Sequence, residues 1–197
     1  MTTTWINRQF GTFRGLVRLG LAYAELATGR LSAFQLRRPE NVRRLVFVCH
    51  GNICRSAIAH RLALAEGLPV ASLGLSTSTG ASSPKQAVAA AARAQVDMST
   101  HRATDFTDFE VQPGDLFLVM EVRQAHKLRR RLGARDDVYV CLLGMWGSPV
   151  MPHLHDPFTL SDAYFDTCFA RVKTAVRRLG DALPHLRTVE AGQRKTG

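Results

Sequence analysis

The sequence predicts an α/β fold: a four-stranded parallel sheet with helices on both faces, preceded by an N-terminal helical extension. Three observations point to it. From Arg44 onward, short apolar β-branched runs alternate with longer amphipathic ones, the pattern of βαβ units. The chain has 197 residues, 46% of them hydrophobic, enough for one substantial core. The charge is also lopsided: residues 1–44 hold 8 Arg and 2 Glu, and so supply +6 of the net +10. The chain divides accordingly into a basic amphipathic extension at 1–42, a body at 43–186 and a flexible tail at 187–197.

Within segment 10–36, helical spacing places Arg14, Arg18 and Glu25 on one face and Phe13, Leu16, Val17, Gly20 and Ala24 on the other. Such a helix packs on its own domain, on a second copy of the chain, or on a membrane surface, and the pattern leaves these readings open. The first strand spans 45–48, where Leu, Val, Phe and Val follow one another, and a helix follows at 54–66. A second strand is expected at 70–75 and an alanine-rich helix at 85–95, since alanine loses little side-chain entropy on becoming helical. Strands at 116–120 and 138–143 flank a helix at 123–132. The last helix, 161–183, opens with Ser161 and Asp162 as caps.

Cys49, Cys54, Cys141 and Cys168 show no disulfide-scaffold spacing, and no apolar leader with a cleavage site opens the chain; both point to a reducing cytoplasm rather than secretion. Arg18, Glu25 and Arg30 interrupt the most apolar segment, so no stretch is long enough to span a bilayer. A basic excess suggests an anionic partner. Nucleic acid is not that partner, because no reader motif or basic surface with interleaved aromatics lies outside residues 1–44. No metal-ligand set or cofactor motif is called for.

The informative stretch runs from the first strand through Cys49, His50, Gly51, Asn52, Ile53, Cys54, Arg55 and Ser56 into a helix. Backbone N–H groups of such a loop, with the positive end of the helix, converge to hold a dianion. Cys49 lies at the base of that cradle, where a helix N-terminus and an arginine favour the thiolate, the species that attacks phosphorus. Arg55 would clasp two phosphoryl oxygens bidentately. Ser56 would donate its hydroxyl to the sulfur. Gly51 and Asn52 stand where positive φ angles are expected. Asp156, fixed by Pro157 on a loop across the pocket mouth, is the candidate acid for protonating the leaving oxygen.

This segment resembles the low-molecular-weight protein-tyrosine phosphatases of bacterial type, whose signature reads V-C-x-G-N-I-C-R-S-P; here Ala57 replaces the final proline. The resemblance extends from about Arg43 to Leu183, through Met98-Ser99-Thr100-His101-Arg102-Ala103, Asp115-Leu116-Phe117-Leu118-Val119-Met120 and His155-Asp156-Pro157-Phe158. It implies hydrolysis of protein phosphotyrosine through a cysteinyl phosphate at Cys49, with Arg55 and Asp156 as the other catalytic groups. It also implies that residues His50 to Ser56 bind the phosphate, His50 by its backbone alone. Asn52, Ser56, Ser72 and His101 form the supporting hydrogen-bond set, and Asp156 first protonates the phenol and then activates water. The resemblance further implies a phosphotyrosine protein substrate such as a tyrosine kinase, and closest kinship with members associated with exopolysaccharide production.

The departures are specific. Residues 70–105 lack the aromatics that usually wall the pocket, leaving Trp146 and Phe158 to serve, and Glu121 stands where aspartate is common. Arsenate reduction on this fold needs two further redox cysteines near the site, and removal of phosphate from arginine goes with Thr where this chain has Ile53. An inactive phosphate-binding adaptor is the non-enzymatic alternative. For residues 1–42 the expectation is peripheral membrane contact or self-association.

Overall fold

The computed structural model describes residues 2–187. Of the tail expected at 187–197, all but Arg187 lies outside the described residues. Strands β1 (Arg44–Cys49), β2 (Val70–Gly74), β3 (Asp115–Val119) and β4 (Tyr139–Leu142) form one parallel sheet in the order β2-β1-β3-β4. Each lies within one residue of its expected ends. Leu45 and Phe47 of β1 join Leu116 and Leu118 in one core, while Val46 and Val48 join Phe117 and Val119 in another. Both faces are buried, and so the strands read as continuous apolar runs rather than alternating ones.

The first face is covered by α3 (Arg55–Ala65), α4 (Lys85–Arg93) and α6 (Asp162–Ala182), through residues such as Ile58, Ala90, Phe165 and Val176. The second is covered by α5 (Val122–Leu132), through Ala125, Leu128 and Leu132. Strand order reverses between β1 and β3, and in open α/β sheets ligands bind in the crevice outside the carboxyl ends at that point. Cys49, the last residue of β1, sits there.

The extension is not a detached arm. It begins with α1 (Thr2–Phe10), ahead of the segment read as helical, and continues with α2 (Phe13–Ala27), capped by Thr12, whose Oγ1 accepts from Gly15 N at 3.0 Å. Leu19 of α2 packs in the first core with Met151 and Leu154, whereas Leu31 and Phe34 cross to the second. The expected apolar face of this segment is corrected. The residues turned inward are Gly15, Leu19 and Ala22, while Phe13 and Val17 stay 67% and 45% exposed and Gly20 and Ala24 face out with them. The reason is proximity. A Cβ on Gly11 would lie 2.7 Å from Tyr164 Cε1, and one on Gly15 2.1 Å from the Phe10 carbonyl oxygen and 2.9 Å from the His155 ring, so only the smallest residues fit this seam.

Candidate active site

The residues after β1 turn sharply because Asn52 adopts φ 51°, in the left-handed region, and hydrogen bonds hold it there. Its Oδ1 accepts from Thr104 N at 3.0 Å, its Nδ2 donates to Ser56 Oγ at 2.8 Å, and its carbonyl oxygen lies 2.8 Å from His101 Nε2. The turn wraps around the thiol of Cys49. Asn52 N donates to Cys49 Sγ at 3.2 Å, and Ser56 Oγ lies 3.0 Å away. The backbone amides of Gly51, Ile53, Cys54 and Arg55 have no protein acceptor among the described residues. They stand at the positive end of the α3 dipole, an arrangement of N–H groups that suits an anion. Burial, with Cys49 and Asp156 nearby, pushes the Cys54 thiol well above its ordinary range.

Arg55 is 1% exposed and its two edges differ. Nη1 donates to Glu121 Oε1 at 2.7 Å and to Leu154 O at 2.8 Å. Nε and Nη2 make no hydrogen bond, although Nη2 lies 2.7 Å from Asp156 Oδ2 as an ion pair. That Nε–Nη2 edge is the one by which Arg44 grips both oxygens of Asp115 at 2.8 Å, and a tetrahedral oxyanion offers the same pair of acceptors. Burial disfavours the Arg55 charge, but Asp156 and Glu121 together raise its pKa. Glu121 is itself fully buried. Burial would raise its pKa, yet Arg55 and Arg123 outweigh that and hold it at about 2. Its second oxygen accepts from Arg123 Nε at 2.6 Å.

The structure therefore brings Cys49, Arg55, Ser56 and Asp156 to one point. Other expectations need correction. Gly51 does not adopt a positive φ, and a Cβ there would meet only the Ile53 side chain at 3.4 Å. The tight approach falls on Gly74 at the end of β2, where a Cβ would come within 3.0 Å of His50 O. Ser72 does not join Asn52, Ser56 and His101; it lies 3.0 Å from His60 Nδ1, and the His60 ring meets His101 edge-on at 6.2 Å. His50 is exposed and engages by its carbonyl, which accepts from Ser76 N at 2.9 Å. Of the two expected wall residues, Trp146 packs against the first core, while Phe158 stands 49% exposed beside Asp156 and donates its N–H to Asp156 Oδ1 at 3.2 Å. Glu121, Thr104, His60 and Leu154 were not given roles by the sequence. For Glu121 the usable signal was an acid at the carboxyl end of a fully apolar strand.

A thiol ringed by free amides and one arginine, at the carboxyl end of the first strand of a doubly wound sheet, defines the class of phosphatases that work through a cysteine. The chain belongs to one family within it: the model of the low molecular weight phosphotyrosine protein phosphatases matches residues 44–188. A Ralstonia solanacearum relative, the probable low molecular weight protein-tyrosine-phosphatase EpsP, is 37% identical over 138 residues, 68% of this chain and 92% of its own length. The EpsP of Ralstonia nicotianae is 36% identical over 97 residues, so this chain spans 66% of that relative's length. The crystal structure of the Erwinia amylovora tyrosine phosphatase AmsI superposes with a TM-score of 0.61 at 27% identity, covering 72% of this chain and 93% of that one. The protein is accordingly a phosphoric monoester hydrolase of the protein-tyrosine-phosphatase type, and residues 1–43 lie outside the family match.

Proposed function

We propose that Cys49 is the nucleophile and Asp156 the general acid in a two-step hydrolysis of phosphotyrosine. The Cys49 thiolate attacks phosphorus, the bond from phosphorus to the phenolic oxygen breaks, and that oxygen takes the proton from Asp156. Water then attacks the cysteinyl phosphate and gives a proton to Asp156, and the departing sulfur is received by the Ser56 hydroxyl. Phosphate oxygens are held by the amides of residues 50–56 and by the Nε–Nη2 edge of Arg55. The observation that carries this reading is the meeting of three groups around one point: Cys49 Sγ with Ser56 Oγ at 3.0 Å, the Nε–Nη2 edge of Arg55, which makes no hydrogen bond, and Asp156 Oδ2, ion-paired with that edge at 2.7 Å. General acid catalysis is worth about 10²–10⁴-fold, so Asp156→Asn should lower kcat by that order on phenyl phosphate and by less on p-nitrophenyl phosphate, whose leaving group needs little protonation. Equal losses on both substrates would remove Asp156 from the role.

The substrate we infer is a phosphotyrosyl protein, such as a tyrosine kinase, in the exopolysaccharide setting that the resemblance implies, with the enzyme in the cytoplasm. Ile53 is retained at the loop position that favours tyrosine over arginine. Arsenate reduction is disfavoured by the state of the remaining thiols: Cys141 and Cys168 are both 1% exposed, and burial pushes each up to about 12, where thiolate is scarce. The adaptor alternative is excluded by any turnover of p-nitrophenyl phosphate that depends on Cys49.

A reading for the outer side of the extension is supported by exposed Trp5, Phe13, Val17 and Leu21 alongside exposed Arg8 and Arg14. Large apolar side chains between arginines suit the headgroup region of an anionic membrane. No helix among the described residues is long and apolar enough to cross a membrane.

A further inference from the structure

We propose that the N-terminal hairpin of α1 and α2, outside the family match, positions the general acid by gripping the ring of His155, the residue before Asp156. The proposal rests on reading Asp156 as that acid. The carboxylate has few holds of its own: the Arg55 ion pair at 2.7 Å and the Phe158 amide of its own loop at 3.2 Å. Its location relative to the phosphate site is therefore set by the backbone at residue 155.

That backbone is held from two sides. On one, the His155 carbonyl accepts from Tyr164 Oη of α6 at 3.1 Å. On the other, the turn between α1 and α2 meets the imidazole: Thr12 Oγ1 lies 3.2 Å from His155 Nε2, and a Cβ on Gly15 would fall 2.1 Å from the Phe10 carbonyl oxygen inside the hairpin and 2.9 Å from ring carbons of His155. The grip continues along α2. Leu19 is buried in the same core as Met151 and Leu154, and Tyr23 Oη donates to Val150 O at 2.5 Å, so the helix is tied to the acid-bearing segment at Val150 as well as at His155. The hairpin is in turn tied to α6, where Arg171 donates to the Gln9 carbonyl and, at 3.1 Å, to Gln9 Oε1, with its guanidinium over the Phe10 ring. Tyr164 and Arg171 both stand on α6, so one helix anchors both sides of the clamp. A general acid works only within hydrogen-bond reach of the leaving oxygen, and misplacement by about 1 Å can cost about 10²-fold. Thr12 and Gly15 are thus positioning residues for a proton transfer they do not touch.

The test uses full-length Thr12→Val, Thr12→Ser and Gly15→Val, with kcat measured on phenyl phosphate and p-nitrophenyl phosphate and the inhibition constant measured for inorganic phosphate. Gly15→Val, whose side chain collides with the Phe10 carbonyl and the His155 ring and so displaces the hairpin from that ring, should lower kcat on phenyl phosphate by about tenfold or more but on p-nitrophenyl phosphate by less than about threefold, the signature of weakened acid catalysis. Phosphate inhibition should stay within about twofold, because the cradle amides and the Glu121 hold on Arg55 lie away from the hairpin. Thr12→Val should move in the same direction by less, and Thr12→Ser should restore the wild-type ratio. Thr12→Val alone decides if Gly15→Val does not fold. Equal loss on both substrates, a parallel weakening of phosphate inhibition, or an unchanged ratio in Thr12→Val would overturn the proposal. Asp156→Asn measured alongside separates the two readings: if it shows no leaving-group dependence the acid assignment fails, whereas if it does and the hairpin variants do not, the clamp alone fails.

Discussion

Arg55 is a guanidinium at 1% exposure, and a cation so buried is tolerated because Glu121 lies 2.7 Å from one edge of it. Glu121 thereby fixes which edge is left for substrate. Removing one partner of a buried pair strands the other charge and costs about 3–5 kcal/mol, so Glu121→Ala should lose that much stability at pH 7, read from urea unfolding. The pH dependence has a definite sign. The folded pKa of Glu121 is depressed from the ordinary 4.5 to about 2, so its stabilisation is complete above 4.5 and is lost as pH falls through about 2. The gap between wild type and variant should narrow over that window. A gap below about 1 kcal/mol at pH 7, or one indifferent to pH, would show that the pair does not hold Arg55. Cys49, Arg55 and Ser56 were legible in the sequence because their spacing is local and framed by a strand and a helix. Glu121 lies 66 residues from Arg55, and a counterion that distant leaves no local pattern.

The strands and helices of the body were legible because their apolar runs are long and bounded by loops, and tertiary packing agreed with local preference. Three features were not, each for a physical reason. The strain in the phosphate loop falls on Asn52, whose side chain satisfies Ser56 and Thr104 while its backbone turns left-handed; Gly51, the residue that propensity would choose, has no such demand. Ser72 points to His60 on α3, a pairing across the sheet face that β-alternation alone cannot assign. The α2 face was misread because hydrophobicity counts side-chain size, whereas the contact with His155 and Tyr164 selects for its absence at Gly11 and Gly15. The large residues Phe13, Val17 and Leu21 were left outside as a consequence.

At the scale of the whole molecule the extension is a strap: Leu19 anchors it in one core, Leu31 and Phe34 in the other, and its turn rests on the acid-bearing segment between. Its inner side serves the site, and its outer side carries Phe13, Val17 and Leu21 with Arg14. Each basic residue near an anionic surface adds about 1 kcal/mol of attraction, so the full-length protein should cosediment with phosphatidylserine-containing vesicles, less so at high salt. The double variant Phe13→Asp, Leu21→Asp should abolish it, as both positions face outward. Absence of vesicle binding, or a concentration-dependent dimer removed by the same variant, would assign this face to self-association instead. Beneath these readings lies one claim, that phosphate passes through Cys49. It is tested most directly by acid-quenching the enzyme during turnover of p-nitrophenyl phosphate and mapping phosphorylated peptides. A phosphoryl group should appear on the peptide containing Cys49, bound through sulfur, and Cys49→Ser should show no sulfur-bound phosphate together with loss of turnover. Turnover persisting in Cys49→Ser, or wild-type phosphate trapped on a side chain at another position, would contradict it.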